Sequence, residues 1–235
     1  MDLSSYGSDF IETPNLDRLA AEGMRFTDGY AAAPLCSLTR ASIQTGLAPA
    51  RIGMTEHIRG HPPVQDWMQV IPPKSVQGLD TSYLILPELF EQPAYTTAHL
   101  GKWHLGGGPS LPQAQGYDFS FAGNWAGLPR SFFYPFFDPG VMQDIKDYSA
   151  EGDYLTDVLT DRAIDYLRAH RDTNFFMHLA YYSPHVPIEA KEEWVRYYRE
   201  KRAPAPDSLL PNVHYAAMVS SIDENVGRIM AALDS

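Results

Sequence analysis

The chain has 235 residues, 44% of them hydrophobic, so it can form a packed core, and extensive disorder is excluded. Its formal charge of −11, from 18 basic and 29 acidic residues, argues against a nucleic-acid-binding surface but permits a local cationic site for an anionic substrate. The single cysteine excludes a disulfide framework, and no apolar run approaches the ~20 residues of a membrane-spanning helix.

The first part of the chain predicts two helices joined by an extended segment. The first helix, 13–23, opens on a Thr-Pro pair that suits the N-cap and the first helical position, and it closes on a glycine. Residues 24–31 follow as a short strand or an extended run. The second helix, 36–46, also closes on a glycine. Residues 47–80 are rich in proline and glycine and are predicted as loop.

The rest of the chain alternates between helices and short apolar strands. In chain order the predictions are a short helix within 81–92, a strand running into a glycine-rich loop at 94–108, helices at 153–170, 189–200 and 214–233, and an apolar strand that starts at 174 and breaks at Ser183-Pro184. The aromatic segment 109–140 is either a substrate-facing loop or a self-packed cover of the core. This alternation predicts an α/β layered sheet.

Cys36 lies where the second helix begins, and Arg40 follows one turn later on the same face. A helix N-terminus presents free N–H groups and a partial positive charge, and such a field binds anions. Together these features predict a cradle for a tetrahedral oxyanion with a reactive side chain pointing at it. From the residues alone, the alternative is that Cys36 is a small buried hydrophobe.

Two further motifs carry candidate site residues. In the extended stretch GKWHLGG, Lys102 and His104 project to one side and Trp103 to the other, so the pair can bind an anion and transfer a proton, although many such pairs are merely solvated. His185 lies just past an apolar strand and between two prolines, where α/β sheets bind ligands. The other histidines have no such setting and are predicted as surface or core residues: His57, His61, His99, His170, His178 and His214.

These motifs resemble those of the sulfatase family. CSLTR followed by TG is similar to the signature Cys-x-Pro-Ser/Thr-Arg, and AYTTAHLGKWHLGG is similar to the second signature, which contains Gly-Lys-Trp-His-Leu-Gly. Further matches follow in family order and cover nearly the whole chain outside the variable loops. The resemblance implies the alkaline-phosphatase-like α/β fold, a layered sheet flanked by helices. It also implies that residues 1–235 are an incomplete N-terminal catalytic domain with a loop-rich aromatic insertion at about 107–140.

The resemblance also implies a role for each candidate residue. Cys36 matches the cysteine that sulfatases oxidise to formylglycine, whose hydrated aldehyde attacks the sulfur of a sulfate ester and later expels sulfate. Arg40 would orient this group, Lys102 would bind sulfate oxygens, His104 would lie near the formylglycine, and His185 would protonate the leaving alcohol. A calcium ion would complete the site, with the group derived from Cys36 among its ligands.

The sequence departs from the family pattern in three places. Leu38 stands where the signature has proline, or alanine in some relatives, at a position that the maturation enzyme reads. An Asp-Asp pair expected before the first residues and an Asp-Asn pair expected after the last helix are both absent. Calcium takes about six to eight oxygen ligands, so we expect the 235-residue chain to be inactive or nearly so.

The expected activity of the full-length protein is hydrolysis of sulfate esters of a carbohydrate or an aryl alcohol. One alternative is a phosphate or phosphonate monoester hydrolase of the same superfamily, and another is a non-catalytic protein that binds sulfated glycans. The expected partners are the sulfated substrate and a formylglycine-generating or anaerobic maturation enzyme. The family implies a periplasmic or extracellular location, although the sequence contains no signal peptide.

Overall fold

The computed structural model describes residues 2–60, 64–90, 94–202 and 212–235. The chain divides into two compact units. Unit 1 consists of residues 1–28, 128–171 and 181–235, and unit 2 consists of residues 29–127 and 172–180. The boundary after residue 127 divides the aromatic segment 107–140 between the two units. The assignment of residues 1–235 to a single catalytic domain stays a prediction.

A parallel three-stranded sheet forms the centre of unit 2. Its strands are β1 (Tyr95–Gly101), β2 (Phe119–Phe121) and β3 (Asn174–Ala180), in the order β2-β1-β3. The central strand β1 is buried from Thr97 onward, as expected for a parallel strand covered on both faces. Both predicted strands are confirmed, and β3 ends three residues before the predicted break at Ser183. The sheet confirms the α/β class.

Three helices of unit 2 lie between residues 36 and 90, and two short 3₁₀ helices follow at Gly108–Ser110 and Pro112–Gln115. Helix α2 (Cys36–Thr45) confirms the second predicted helix, and Gly46 ends it in the left-handed conformation at φ 69°. The prediction of loop throughout 47–80 is wrong at helix α3 (Pro49–Ile52), because a proline at the start and a glycine at the end also delimit a short helix. The helix predicted within 81–92 is a 3₁₀ helix (Leu86–Phe90). Residues 61–63 and 91–92 of these predictions lie outside the described residues.

The core of unit 2 joins α2 to the segment that follows β1. Leu38 and Ala41 of α2 pack in one cluster with Trp103 and Leu105. In the aromatic segment, Tyr117 is only 2% exposed and belongs to the same cluster, so this part of the segment is self-packed. The packing fixes the start of α2 against the end of β1, the two places where the sequence puts candidate site residues.

Unit 1 is helical. Its helices are α1 (Pro14–Glu22), α4 (Gln143–Tyr148), α5 (Leu155–Ala169), α6 (Glu192–Arg202) and α7 (Val213–Leu233), and α7 packs against α1, α5 and α6. The helices predicted at 13–23, 153–170, 189–200 and 214–233 are confirmed, whereas residues 24–31 form neither helix nor strand. Of the helices in the described residues, none has the length and apolarity needed to cross a membrane.

The start of α1 shows how a distant residue replaces a predicted local contact. Thr13 makes no side-chain capping bond, and its hydroxyl instead accepts a hydrogen bond from the backbone N–H of Ser4. The carboxylate of Asp223 on α7 accepts from the N–H groups of Asn15 and Leu16, at 3.2 and 2.8 Å. A carboxylate at this position neutralises the positive end of the helix, so α7 caps α1.

Candidate functional site

The first turn of α2 presents Cys36 and Arg40 as the sequence predicts. Cys36 is the first helical residue, and Leu35 before it is extended and makes no side-chain capping bond to the helix. The partial positive charge of the helix N-terminus therefore acts directly at Cys36. The Arg40 guanidinium donates a hydrogen bond to the backbone carbonyl of Lys102, which ties α2 to the segment after β1.

Lys102 brings the second motif to the first. Lys102 is 4% exposed, and its ammonium group lies close enough to Cys36 for that side chain to favour the charged form of the lysine. Within the described residues, no carboxylate lies within ion-pair distance of this ammonium. Burial lowers the pKa of Lys102, and this effect is larger than the opposing effect of Cys36. A buried lysine without a carboxylate partner is costly for folding, which points to a role in binding an anion.

His104 is held in one tautomer beside these groups. Its Nε2 lies 3.3 Å from the carbonyl oxygen of Ile58, which can only accept, so Nε2 carries the hydrogen. Its Nδ1 is buried and has no hydrogen-bond partner among the described residues. Burial and then the charge of Lys102 lower the pKa of His104 to about 4. His104 is therefore neutral at neutral pH, with an unprotonated Nδ1 whose lone pair can accept a hydrogen bond or a proton.

Two residues that sequence reasoning missed hold His104 in place. The Ser37 hydroxyl donates to the carbonyl of His104 at 2.8 Å and accepts from the N–H of Ile58 at 3.1 Å. Gly127 packs against the imidazole, and a Cβ there would come within 2.3 Å of its Cε1 atom. Ser37 lies inside the CSLTR motif, which is a usable signal. Nothing in the local sequence indicates the role of Gly127, because this contact spans many residues.

His185 belongs to unit 1 and is described within that unit. Its backbone N–H donates to the carbonyl of Tyr182 at 3.1 Å, and its Nδ1 lies 3.0 Å from the carbonyl oxygen of Val186. The carbonyl can only accept, so Nδ1 carries the hydrogen and Nε2 is left to exchange a proton. The setting after a strand is as predicted, and the role of His185 as an acid stays a prediction.

A buried polar network lies behind α2 in unit 2. The Gln44 amide donates to Nδ1 of His178 at 2.8 Å and accepts from the hydroxyl of Tyr117 at 3.0 Å. His99 is fully buried, with its ring 5.2 Å from that of His178. Burial lowers the pKa of His178 to about 4 and also lowers the pKa of His99. Of the two settings predicted for His99, surface or core, the structure shows the core, and both rings are neutral in the folded protein at neutral pH.

The network predicts a specific loss of stability in acid. The pKa of His178 is about 4 in the folded protein and about 6.5 in the unfolded chain, so between these pH values the unfolded state binds more protons. The free energy of unfolding should therefore fall as the pH falls through this window, by up to about 1.4 kcal/mol per pH unit for this one histidine. The free energy of unfolding can be measured at several pH values by urea unfolding followed by tryptophan fluorescence. Between about pH 4 and 6.5 it should change less steeply with pH in a His178→Gln variant. The same pH dependence of the unfolding free energy in both proteins would contradict a lowered pKa for His178.

The predicted calcium site at Cys36 has cationic neighbours. Arg40 and Lys102 flank Cys36, and both repel a cation. Across residues 2–60, 64–90, 94–202 and 212–235, no three His, Cys, Asp or Glu side chains are placed to hold a metal ion together. The described residues by themselves therefore do not fit a calcium ion, which takes about six to eight oxygen ligands.

The sequence and the fold are similar to those of known proteins. The Sulfatase family profile matches residues 1–235. The whole chain aligns at 32% identity with 44% of N-acetylgalactosamine-6-sulfatase from Rattus norvegicus, and 95% of it aligns at 30% identity with 42% of an arylsulfatase from Hemicentrotus pulcherrimus. The crystal structure of Ps i-CgsB in complex with k-i-k-neocarrahexaose has a TM-score of 0.74 and 28% identity, over 99% of this chain and 52% of that chain. The chain thus spans about half the length of these proteins.

Proposed function

Since this chain belongs to the sulfatase family, we propose that the natural polypeptide carrying it hydrolyses sulfate esters at the cluster of Cys36, Arg40, Lys102 and His104. One observation carries the proposal, namely that the first turns of α2 are tied to the segment after β1, because Arg40 donates to the carbonyl of Lys102 and Ser37 donates to that of His104. The buried ammonium of Lys102 thereby lies close to the thiol at the start of α2. Two cations and a helix N-terminus surround one reactive side chain there, and an oxyanion would balance their charge.

The roles of the residues follow from their positions. Sulfatases generally use formylglycine and a divalent metal, and we assign the modification here to Cys36. When present, the modification supplies a hydroxyl nucleophile. Lys102 holds the oxygens of the anion, and Arg40 keeps the start of α2 against the segment that carries Lys102. The unpartnered Nδ1 of His104 accepts the proton of a hydroxyl group at position 36.

Packing in the core of unit 2 explains why leucine can occupy position 38, where the family signature has proline. Leu38 is 9% exposed and lies in the core cluster with Ala41 and Ile52, so its side chain fills space in the interior of unit 2. Position 38 is in the first turn of α2, where proline is tolerated because the backbone N–H has no partner within the helix. Leucine and proline are thus both compatible with this helix. Conversion of Cys36 beside a leucine is part of the proposal.

The substrate class that we propose is a carbohydrate sulfate ester. A relative named N-acetylgalactosamine-6-sulfatase and a neighbouring structure solved with a neocarrahexaose support this choice, and the arylsulfatase relative supports small aryl sulfates as assay substrates. We also propose that the 235-residue chain alone has little activity, because its described residues do not form a site for the divalent metal that sulfatases generally use.

The test of the function is a rate ratio. The natural polypeptide, with calcium present, is assayed on an aryl sulfate and on the aryl phosphate with the same leaving group. We expect kcat/KM for the sulfate to be at least about tenfold higher, which is a difference of ~1.4 kcal/mol in transition-state binding. A faster reaction with the phosphate would instead support a phosphate or phosphonate monoester hydrolase. No hydrolysis of either ester, with an intact thiol at Cys36 by peptide mass analysis, would support a binder of sulfated glycans.

A further inference from the structure

A turn at residues 56–60 lies beside the Cys36 cluster and is tied to it. The N–H of Ile58 donates to the hydroxyl of Ser37, and the carbonyl of Ile58 accepts from His104. The imidazole of His57 in the same turn lies 6.2 Å from that of His104. His57 has 42% of its side chain exposed, whereas His104 is 5% exposed. The turn therefore leads from the buried cluster to solvent.

A second loop joins the first turn at the same place. The N–H of His104 donates to the carbonyl of Asn124 at 2.9 Å, and Gly127 packs against the imidazole of His104. Between these two residues, Trp125 lies under the guanidinium of Arg59, which is 3.5 Å from the centre of the indole ring. Arg59 is exposed and Trp125 is half-buried. A cation and an aromatic face are thus stacked next to the cluster.

Arg59 occupies a backbone conformation that costs folding energy. Its φ is 62°, in the left-handed region, within a turn closed by a hydrogen bond from the N–H of Gly60 to the carbonyl of His57. An L-residue other than glycine in this region is strained, and glycine is the usual residue at such a position. Residues held in this way concentrate at ligand-binding sites. A strained arginine, where glycine would be unstrained, points to a function of the side chain.

The charge of Arg59 is also unbalanced within the described part of the chain, where no carboxylate lies within ion-pair distance of it. Glu56, the acid nearest in sequence, instead contacts Nδ1 of His57 at 2.6 Å. Two other exposed arginines do have carboxylate partners, Arg130 with Asp138 and Arg199 with Glu192. In a chain of net charge −11, an exposed guanidinium already stacked on an indole is prepared to bind an anion from outside.

We propose that Arg59 and Trp125 form a specificity-determining subsite that binds a sugar ring bearing a second anionic group, next to the sulfate ester at the Cys36 cluster. The indole supplies an apolar face for the ring, and the guanidinium binds a sulfate or a carboxylate through its planar N–H edge. The inference rests on the proposed function, because it names the substrate class of the same site.

Equilibrium binding tests the subsite without turnover. The natural polypeptide carries Cys36→Ala, and calorimetry measures Kd for three disaccharides that share one sulfate ester: one without a further charge, one with a second sulfate on the neighbouring ring, and one with a carboxylate there. We expect the parent to bind at least one dianion about tenfold more tightly than the monosulfate. The stronger of the two dianions identifies the preferred group.

The variants separate the side chain from the fold. Arg59→Gly relieves the strained φ, so it should fold normally, lose the preference for the dianion and bind the monosulfate within about twofold of the parent. Arg59→Lys keeps the positive charge but loses the planar guanidinium that stacks on Trp125. It should therefore retain only part of the preference for the dianionic disaccharide. Arg199→Ala removes one guanidinium on α6 and should change none of the three Kd values.

The outcomes distinguish this inference from the proposed function. A preference for the dianion that survives Arg59→Gly, or no preference in the parent, would overturn the subsite. An Arg59-dependent preference in a polypeptide that hydrolyses no sulfate ester would support the subsite and reject the enzymatic proposal. Hydrolysis of the aryl sulfate, together with Kd values that do not depend on Arg59, would support the enzymatic proposal and reject the subsite.

Discussion

Replacing Cys36 with alanine is expected to lower aryl sulfate hydrolysis by the natural polypeptide at least ~10⁴-fold, because loss of a covalent nucleophile leaves only binding and electrostatic effects. Cys36 is the first residue of α2 and lies close to the buried ammonium of Lys102, so its side chain is placed to attack an anion held at that point. The measurement is kcat/KM on an aryl sulfate, with the mass of the peptide containing position 36 determined in parallel.

The matched control for Cys36→Ala is Ser42→Ala. Ser42 lies on the same helix, and its buried hydroxyl has no hydrogen-bond partner among the described residues. This change also removes a single heavy atom from α2, but at a residue outside the cluster. Activity within about twofold of the parent is expected, because no bond is lost. If Cys36→Ala retained most of the activity while Ser42→Ala behaved as expected, the nucleophile would have to be another group.

Replacing Lys102 with methionine is expected to separate function from stability. Removing one preorganised cation from a site of developing negative charge should lower kcat/KM about 10²- to 10³-fold. The free energy of unfolding should be unchanged or rise by about 1 kcal/mol, because the variant no longer buries an ammonium group without a carboxylate partner. Activity assays and urea unfolding measure the two effects.

Lys191 is the matched control for Lys102. Its ammonium lies 3.1 Å from the carboxylate of Asp157 and 2.8 Å from that of Glu224. Burial disfavours the charge, but these two carboxylates outweigh it and raise the pKa of Lys191, whereas the pKa of Lys102 is lowered. Lys191→Met should therefore cost about 1–3 kcal/mol of stability and leave kcat of the folded protein unchanged. Equal destabilisation by both substitutions would show that Lys102 is a structural residue.

Local sequence patterns predicted most elements because the relevant signals lie within a few residues of each other. The four-residue spacing of Cys36 and Arg40 puts both on one helix face, and Gly46 closes that helix. The alternation at GKWHLGG predicted Lys102 and His104 in an extended stretch, whereas β1 ends at Gly101 and His104 lies in the left-handed region at φ 56°. The same local signals failed at α3, where proline and glycine bound a helix and were interpreted as loop.

The state of His104 could not be predicted from its neighbours in sequence. The carbonyl of Ile58, 46 residues earlier, selects the tautomer of His104, and Gly127 leaves room for its ring. His57 was predicted as a surface or core residue, yet its ring lies beside that of His104. Each of these contacts depends on how loops far apart in the chain meet, which no short pattern records.

The amino-acid sequence by itself determined the five longer helices, the two longer strands and the residue types of the cluster, because spacing and periodicity act over one or two turns of chain. The tertiary structure alone decided that the ammonium of Lys102 reaches the thiol of Cys36, that Arg59 stacks on Trp125, and that α7 caps α1. The physical reason is that burial and charge depend on contacts between distant segments. Those contacts form only when the core closes and excludes water from them.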